Sequence, residues 1–183
     1  MDNGTDPIGQ LLPIDSRIQY FPVPGAKLTH GELMNLAFAK ATGDICIVWD
    51  DDDWYAPDRI SRQIAPFADP NTDVTGTSTL YYYVHGTQKA YRYENQTARR
   101  WVGAFAIRRS LWNTTKFQHM ERGADVVLLN TIPAERWCDL KDLSLLVASI
   151  HPANITNGKT LPSPSFIETP WNEIQRVTGD TLR

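Results

Sequence analysis

The sequence has few cysteines, no long apolar run and no excess of basic charge. Its two cysteines, Cys46 and Cys138, lack metal-ligand spacing, so we expect reduced thiols and no cysteine metal site. No stretch reaches the ~20 apolar residues of a membrane span, and no basic, apolar leader opens the chain. The 18 basic and 21 acidic residues give a net charge of -3, which provides no field for tracking nucleic acid. These absences predict a cytoplasmic protein without a membrane span.

A length of 183 residues with 42% hydrophobic content is enough for one domain with a real core. We assign residues 1–159 to that domain. Residues 160–183 are rich in Pro, Ser and Thr and are predicted to form a C-terminal tail.

Hydrophobic periodicity predicts alternating helices and strands. Apolar residues at helical spacing predict a helix at 31–42, and the continuous apolar run at 45–49 predicts a strand buried on both faces. A second helix is expected at 57–67, because Pro57 and Asp58 suit a first turn. The remaining predicted elements are a strand at 17–21, a hairpin formed by 74–84 and 89–93, strands at 103–107 and 143–150, and helices at 124–130 and 171–177. The order predicts an α/β fold.

Four consecutive aspartates, Asp50 to Asp53, follow the predicted strand at 45–49 directly. Carboxylates held this close raise one another's pKa, so a cation is needed to offset their charge. Mg²⁺ and Mn²⁺ bind one or two carboxylates together with substrate phosphates, and ligands collect at the carboxyl ends of strands in α/β sheets. The alternative is a solvated acidic turn that caps the next helix.

Three segments, in this order and spacing, resemble a family-2 glycosyltransferase. They are a Gly-x-x-x-Asn helix from Gly31 to Asn35, an Ala-Thr-Gly-Asp turn at 41–44, and a strand ending in a DxD-type motif at 49–54. The resemblance spans roughly residues 2–151 and implies a GT-A-like (Rossmann-related) mixed sheet flanked by helices. It also implies an inverting, hexosyltransferase-like enzyme that uses Mn²⁺ or Mg²⁺ and a nucleoside diphosphate-sugar, with a UDP-sugar favoured.

The resemblance also assigns roles to the acidic residues. Asp50 would face the nucleotide ribose and share the metal with Asp52, while Asp51 and Asp53 orient or support them. Asp2 is similar to the acidic turn in which the family contacts the nucleobase, although a plain terminal loop explains it equally well. Carboxylates are the ligand type that hard divalent cations take, but this preference does not rank the four consecutive aspartates.

A general base is expected on a later helix. Residues 122–127 resemble the family's segment, with Ala124 in place of its Glu, so Asp125 matches the base and Glu121 is the reserve candidate. An Asp at a helix N-terminus also has a purely structural use through the helix dipole.

The segment 150–159 is similar to a His-x-x-Asn-Thr stretch of some relatives. By that resemblance His151 reaches the metal or the diphosphate, and Lys159 neutralises phosphate charge. A lone histidine that is merely exposed or packed is the alternative.

The family's first strand has no counterpart in this sequence, whose resemblance starts at the acidic turn that follows it. We therefore expect an N-terminally truncated sheet that a homo-oligomer contact or a partner chain completes. Besides the transferase, two hypotheses stay open. One is an inactive homologue acting as a binding or assembly module. The other is a calcium-binding loop, which the absence of EF-hand spacing disfavours.

Overall fold

A computed structural model describes residues 1–25, 27–94, 103–154 and 164–182. Over these residues the chain forms two mixed β-sheets flanked by helices. The helices are α1 His30–Lys40, α2 Arg59–Ile64, α3 Arg109–Thr114, α4 Ala124–Leu129 and α5 Trp171–Thr178. The strands are β1 Ile45–Ile47, β2 Trp54–Tyr55, β3 Val74–Thr77, β4 Thr79–Val84, β5 Ala90–Glu94, β6 Gly103–Arg108, β7 Trp137–Asp139, β8 Leu146–Ile150 and β9 Phe166–Thr169. The predicted mixed α/β architecture is confirmed.

The first sheet has the order β1-β6-β3-β7 and carries the larger core. Strand β6 pairs antiparallel with both β1 and β3, and β3 pairs parallel with β7. Ile107 and Phe105 of β6 are buried against Phe38 of α1 and Leu128 of α4. Helices α1 and α4 are therefore held on one side of this sheet by apolar burial, the dominant favourable term in folding.

The second sheet has the order β2-β8-β4-β5-β9. Strands β8 and β4 run parallel, and the other neighbours pair antiparallel. Side chains alternate between its two faces, as the strand period of two requires. Leu80, Leu146 and Ala148 pack on one face, while Tyr81 and Val147 pack on the other with Ile174 of α5.

Helix α1 owes its position to its first two turns. The Thr29 side chain and the Glu32 carboxylate cap each other's backbone N–H groups, which fixes the helix start. Gly31 meets the chain before α4 so closely that an added Cβ would lie 1.8 Å from the Gln118 carbonyl oxygen. Asn35 donates to the Phe117 carbonyl (2.8 Å) and accepts from the backbone N–H of Phe117 (3.0 Å). The Gly-x-x-x-Asn pattern thus joins α1 to the segment leading into α4.

Most predicted elements are confirmed within one to three residues, including both early helices. The predicted hairpin is confirmed only in part, because 79–84 pair with β5 whereas 74–77 form β3 of the first sheet. The predicted strand at 17–21 is wrong, because this segment has no ladder and only Asp2 and Pro22 form an isolated bridge. The run at 45–49 forms a strand, but at the edge of its sheet. Only Cys46 among the three β1 residues is fully buried there, so burial on both faces was overestimated.

The segment predicted as a tail contains ordered structure. Strand β9 pairs with β5, and Ile174 of α5 is fully buried against the second sheet. The boundary at residue 159 stays a prediction, but 166–178 pack against the rest of the chain. None of the helices in the described ranges has the length and apolar composition needed to cross a membrane.

Candidate active site

The four aspartates form a turn that connects β1 of the first sheet to β2 of the second. Before the turn, the Val48 N–H donates to the Phe105 carbonyl (3.0 Å), which continues the pairing of β1 with β6. After it, the Asp53 carboxylate accepts from the Ser149 N–H on β8 (2.8 Å). The acidic turn therefore lies where the two sheets meet, anchored to one at each end.

A buried arginine lies directly beneath this turn. Arg59, at the start of α2, is fully buried, and its guanidinium donates to the carbonyls of Val48 and Ala104. The guanidinium carbon lies 4.4 Å from the Trp49 ring centroid and 4.0 Å from that of Tyr55, within cation–π range. Arg59 thus supplies the turn with an internal positive charge and fixes the end of β1.

The backbone of the turn is also fixed by Tyr55. The Asp50 N–H donates to the Tyr55 hydroxyl at 3.0 Å. Burial raises the pKa of Tyr55, and the nearby carboxylates of Asp50 and Asp53 raise it further, so the phenol remains neutral. The neutral phenol accepts from the Asp50 N–H and stacks with the Arg59 guanidinium without adding a charge to the turn.

Negative charge in the turn is only partly balanced. Asp50 is an exposed residue, but the groups around its carboxyl displace enough water to raise its pKa. The negative charges of Asp52 and Asp125 raise it further, whereas the positive charges of His30 and Arg59 lower it. Burial raises the pKa of Asp53 to about 7, opposed by the bond from Ser149 and reinforced by Asp50 and Asp52. An additional cation would stabilise the charged forms of these carboxylates.

The structure brings together Asp52 and His151, two residues that the resemblance gives as candidates for the metal site. The Asp52 Oδ2 atom lies 3.0 Å from the His151 Nε2 and accepts from the Asn154 Nδ2 at 2.9 Å. Asn154 in turn accepts from the His151 backbone N–H (2.6 Å). The segment after β8 therefore encloses one oxygen of Asp52 with two polar side chains.

The other ring nitrogen of His151 indicates its tautomer. Nδ1 accepts from the Ala153 backbone N–H (3.2 Å), so we assign the proton to Nε2, which donates to Asp52. A metal bound at Nε2 would require this proton to leave. In the present geometry His151 orients Asp52, and its role as a metal ligand stays a prediction.

The predicted base acts electrostatically on Asp50. Asp125 is the second residue of α4, is half-buried, and is close enough for its charge to raise the pKa of Asp50. His30, the first residue of α1, acts on Asp50 with the opposite sign. Since Gly31 and Asn35 tie α1 to the segment before α4, the helix contacts that form the core also set the spacing of these groups.

The predicted residue Asp2 makes its hydrogen bonds within the N-terminal loop. The Asp2 carboxylate accepts from the Tyr20 hydroxyl (2.5 Å), the Gly4 N–H (2.9 Å) and the Ile8 N–H (3.2 Å), and these bonds lower its pKa. The Asp2 carboxylate therefore stabilises the N-terminal loop through these three bonds.

Two further candidates are exposed, and a third lies outside the described residues. Asp51 is exposed and bonds to no side chain in the described ranges, and Glu121 is exposed in the loop before α4. Lys159 lies outside the described residues.

The residues fit a metal that is shared with a substrate. In the part of the chain that the structure describes, no group of three or more His, Cys, Asp or Glu side chains is arranged to hold a metal ion. Asp52 is near enough to Asp50 for its charge to raise the Asp50 pKa, and hard divalent cations commonly complete a pair of carboxylates with phosphate oxygens and water. The donor set suits Mg²⁺ or Mn²⁺ bound with a diphosphate.

Three contributors to the site were not predicted from sequence. They are Arg59, His30 and Asn154. The His-x-x-Asn spacing could have indicated Asn154. The position of His30 directly after Thr29, which caps α1, could have indicated that His30 lies at a helix start. The role of Arg59 depends on carbonyls from β6 and the end of β1, which no local pattern connects.

Comparison with known proteins supports the resemblance. The model of the family described as glycosyl transferase family 2 matches residues 1–131. No curated protein matches the chain. Among solved structures, one titled "Crystal Structure of a Mycobacterial Protein" is similar at 16% identity and a TM-score of 0.45, covering 70% of this chain and 47% of that chain. This chain thus spans about half of that protein's length. The family match covers most of the chain, including the acidic turn and α4, and the protein belongs to glycosyl transferase family 2.

Proposed function

We propose that this protein transfers a sugar from a nucleoside diphosphate-sugar, with a UDP-sugar favoured, to an acceptor hydroxyl, with inversion at the sugar carbon. The observation that carries the proposal is the contact of Asp52 with His151 in the acidic turn, next to Asp50 in the chain. Asp125, at the start of α4, is near enough to Asp50 for its charge to raise the Asp50 pKa. The proposed metal ligands therefore lie in the turn where the two sheets meet, and the proposed base acts electrostatically on the same turn.

The proposed reaction divides the work between these groups. Asp125 accepts the proton of the acceptor hydroxyl as its oxygen attacks the sugar carbon, and the bond from that carbon to the diphosphate breaks in the same displacement. One displacement inverts the configuration, so a single base suffices. Asp125 needs to be ionised for this, and its partial exposure in the first turn of α4 is compatible with that form.

Mn²⁺ or Mg²⁺ would be held by Asp52 and Asp50 together with diphosphate oxygens. When bound, the ion supplies positive charge that stabilises the departing diphosphate. His151 and Asn154 keep the Asp52 carboxylate in one orientation through their bonds to Oδ2. Arg59 holds the turn from below but is stacked against Trp49 and Tyr55, so it supports the acidic residues and does not replace the ion.

Removal of metal tests the proposal. With a panel of UDP-hexoses and GDP-hexoses, we expect release of UDP or GDP in Mn²⁺ to fall to background after chelation with EDTA. Excess Mn²⁺ should restore it. Turnover that continues unchanged in EDTA would contradict the assigned role of Asp50 and Asp52, and the nucleotide released identifies the donor base.

A further inference from the structure

Three aromatic side chains form a cluster on the second sheet: Tyr82 on β4, Tyr93 on β5 and Phe166 on β9. Their ring centroids are 6.1 Å apart for Tyr82 and Tyr93, 5.1 Å for Tyr82 and Phe166, and 5.0 Å for Tyr93 and Phe166. All three are half-buried. In the described part of the chain, the Tyr82 hydroxyl has no hydrogen-bond partner, so the cluster combines apolar rings with an unused polar group.

The strand register puts this cluster beside the acidic turn. Tyr82 pairs with Ala148 on the parallel strand β8, and the next residue, Ser149, donates its N–H to Asp53 at 2.8 Å. Tyr82 also packs on the same apolar group as Tyr55, whose hydroxyl accepts from the Asp50 N–H. The rings therefore occupy the sheet face that borders Asp50 and Asp53.

The opposite face of the same sheet is closed. Tyr83, adjacent to Tyr82 in sequence, points away from it and lies 6.3 Å from the Trp171 ring of α5. Ile174 of α5 is fully buried there. Since α5 covers one face, only the face with the aromatic cluster is continuous with the candidate active site.

We propose that Tyr82, Tyr93 and Phe166 form a subsite that binds a sugar ring of the acceptor. This inference rests on the proposed transferase function. One face of a pyranose presents C–H groups, which pack on the electron-rich faces of aromatic rings, while its hydroxyls need polar partners such as a phenol. A mostly apolar wall with one convergent polar group is the usual composition of a small-molecule site.

The acceptor, and not the donor, is assigned to these rings because of where they lie in the chain. The family match ends at residue 131, whereas Phe166 belongs to β9, outside it. A substrate common to the family is expected to contact the shared part, and one that differs between members is expected to contact added elements. Through its register with β8, Tyr82 lies beside the acidic turn, so a ring seated on it is next to the proposed donor site.

Saturation-transfer NMR tests the assignment with the full chain in Mg²⁺ and UDP. The probes are the methyl glycosides of glucose, galactose, mannose and N-acetylglucosamine, together with octyl glucoside. The variants are Tyr82→Leu and Phe166→Leu, with Tyr83→Leu as the matched control from the closed face. Thermal unfolding and UDP calorimetry are run on each variant, so that loss of fold or of donor binding is detected separately.

We expect saturation of sugar-ring protons for at least one glycoside, reduced about fivefold in Tyr82→Leu and Phe166→Leu and unchanged in Tyr83→Leu. No saturation of any glycoside, an equal effect of Tyr83→Leu, or saturation of the octyl chain alone would overturn the inference. So would a Tyr82→Leu effect seen only as weaker binding of UDP-glucose relative to UDP, which would assign the rings to the donor sugar. Failure of the wild-type chain to bind UDP is a different result and counts against the proposed function itself.

Discussion

Replacing Arg59 by alanine is expected to lower the free energy of unfolding by about 3–5 kcal/mol, the range for removing one partner from a buried charged network. The side chain is fully buried and donates to Val48, Ala104 and Gln63. Its loss leaves the Val48 carbonyl and the buried Gln63 side-chain oxygen without this donor, which costs part of their desolvation, whereas the Ala104 carbonyl keeps the bond from the Gln63 side chain. It also removes a positive charge that lowers the pKa values of Asp50 and Asp53.

Arg62 on the same helix provides the matched control. Its guanidinium pairs with Asp58 at 2.7 Å and with Asp142 at 2.5 Å, but its side chain is 29% exposed. Partly exposed ion pairs of this kind contribute about 1 kcal/mol or less. Urea unfolding of Arg59→Ala and Arg62→Ala, compared at constant m-value, measures the difference. Equal losses would show that Arg59 does not support the acidic turn in the way the structure indicates.

The Asp125→Asn variant is expected to lose transfer activity by about 10³-fold while keeping its affinity for the nucleotide, because general base catalysis contributes about 10²–10⁴-fold. Asparagine preserves the size and the helix position but does not accept a proton. The readout is release of UDP or GDP from the hexose donor panel, with the glycoside panel as acceptors, beside calorimetry with the same nucleotide.

Glu121→Gln separates the two candidate bases. Glu121 is exposed in the loop before α4, whereas Asp125 is half-buried and its charge raises the pKa of Asp50. We therefore expect Glu121→Gln to retain most activity. The reverse result, with Asp125→Asn active and Glu121→Gln inactive, would transfer the role to Glu121.

Sequence alone predicted several elements that are local in the chain. Periodicity and the four aspartates predicted α1, β1 and an acidic turn after β1, although the short strand β2 lies between that turn and α2. The resemblance gave Asp52 and His151 as candidates for the metal site, and these residues, 99 positions apart in sequence, lie 3.0 Å apart in the structure. The same patterns do not predict how far a strand is buried, since that depends on its neighbours. For this reason β1 was expected at the interior of a sheet and lies at an edge.

What the sequence left out depends on contacts between distant segments. Arg59 reads as an ordinary exposed residue in the first turn of a helix, and its burial follows only from the meeting of β6 with the end of β1. Composition also suggested a tail after residue 160, but Phe166 and Ile174 pack on the second sheet. A short apolar stretch in a polar segment gains order only when a tertiary partner buries it.

The central claim, that Asp52 binds a metal together with a nucleoside diphosphate, is tested most directly by calorimetric titration. UDP, and then GDP, would be titrated into the wild-type chain and into Asp52→Asn, each with and without Mn²⁺. Asp58→Asn serves as a control, because Asp58 is a nearby exposed carboxylate that pairs with Arg62.

We expect Mn²⁺-dependent binding of one nucleotide to the wild type and to Asp58→Asn, weakened about 100-fold or more in Asp52→Asn, since even outer-shell changes cost 10–100-fold in metal affinity. Binding that is independent of Mn²⁺, or that survives the Asp52→Asn change, would contradict the metal assignment. No binding of either nucleotide by a folded wild-type chain would contradict the transferase proposal and favour a binding or assembly module.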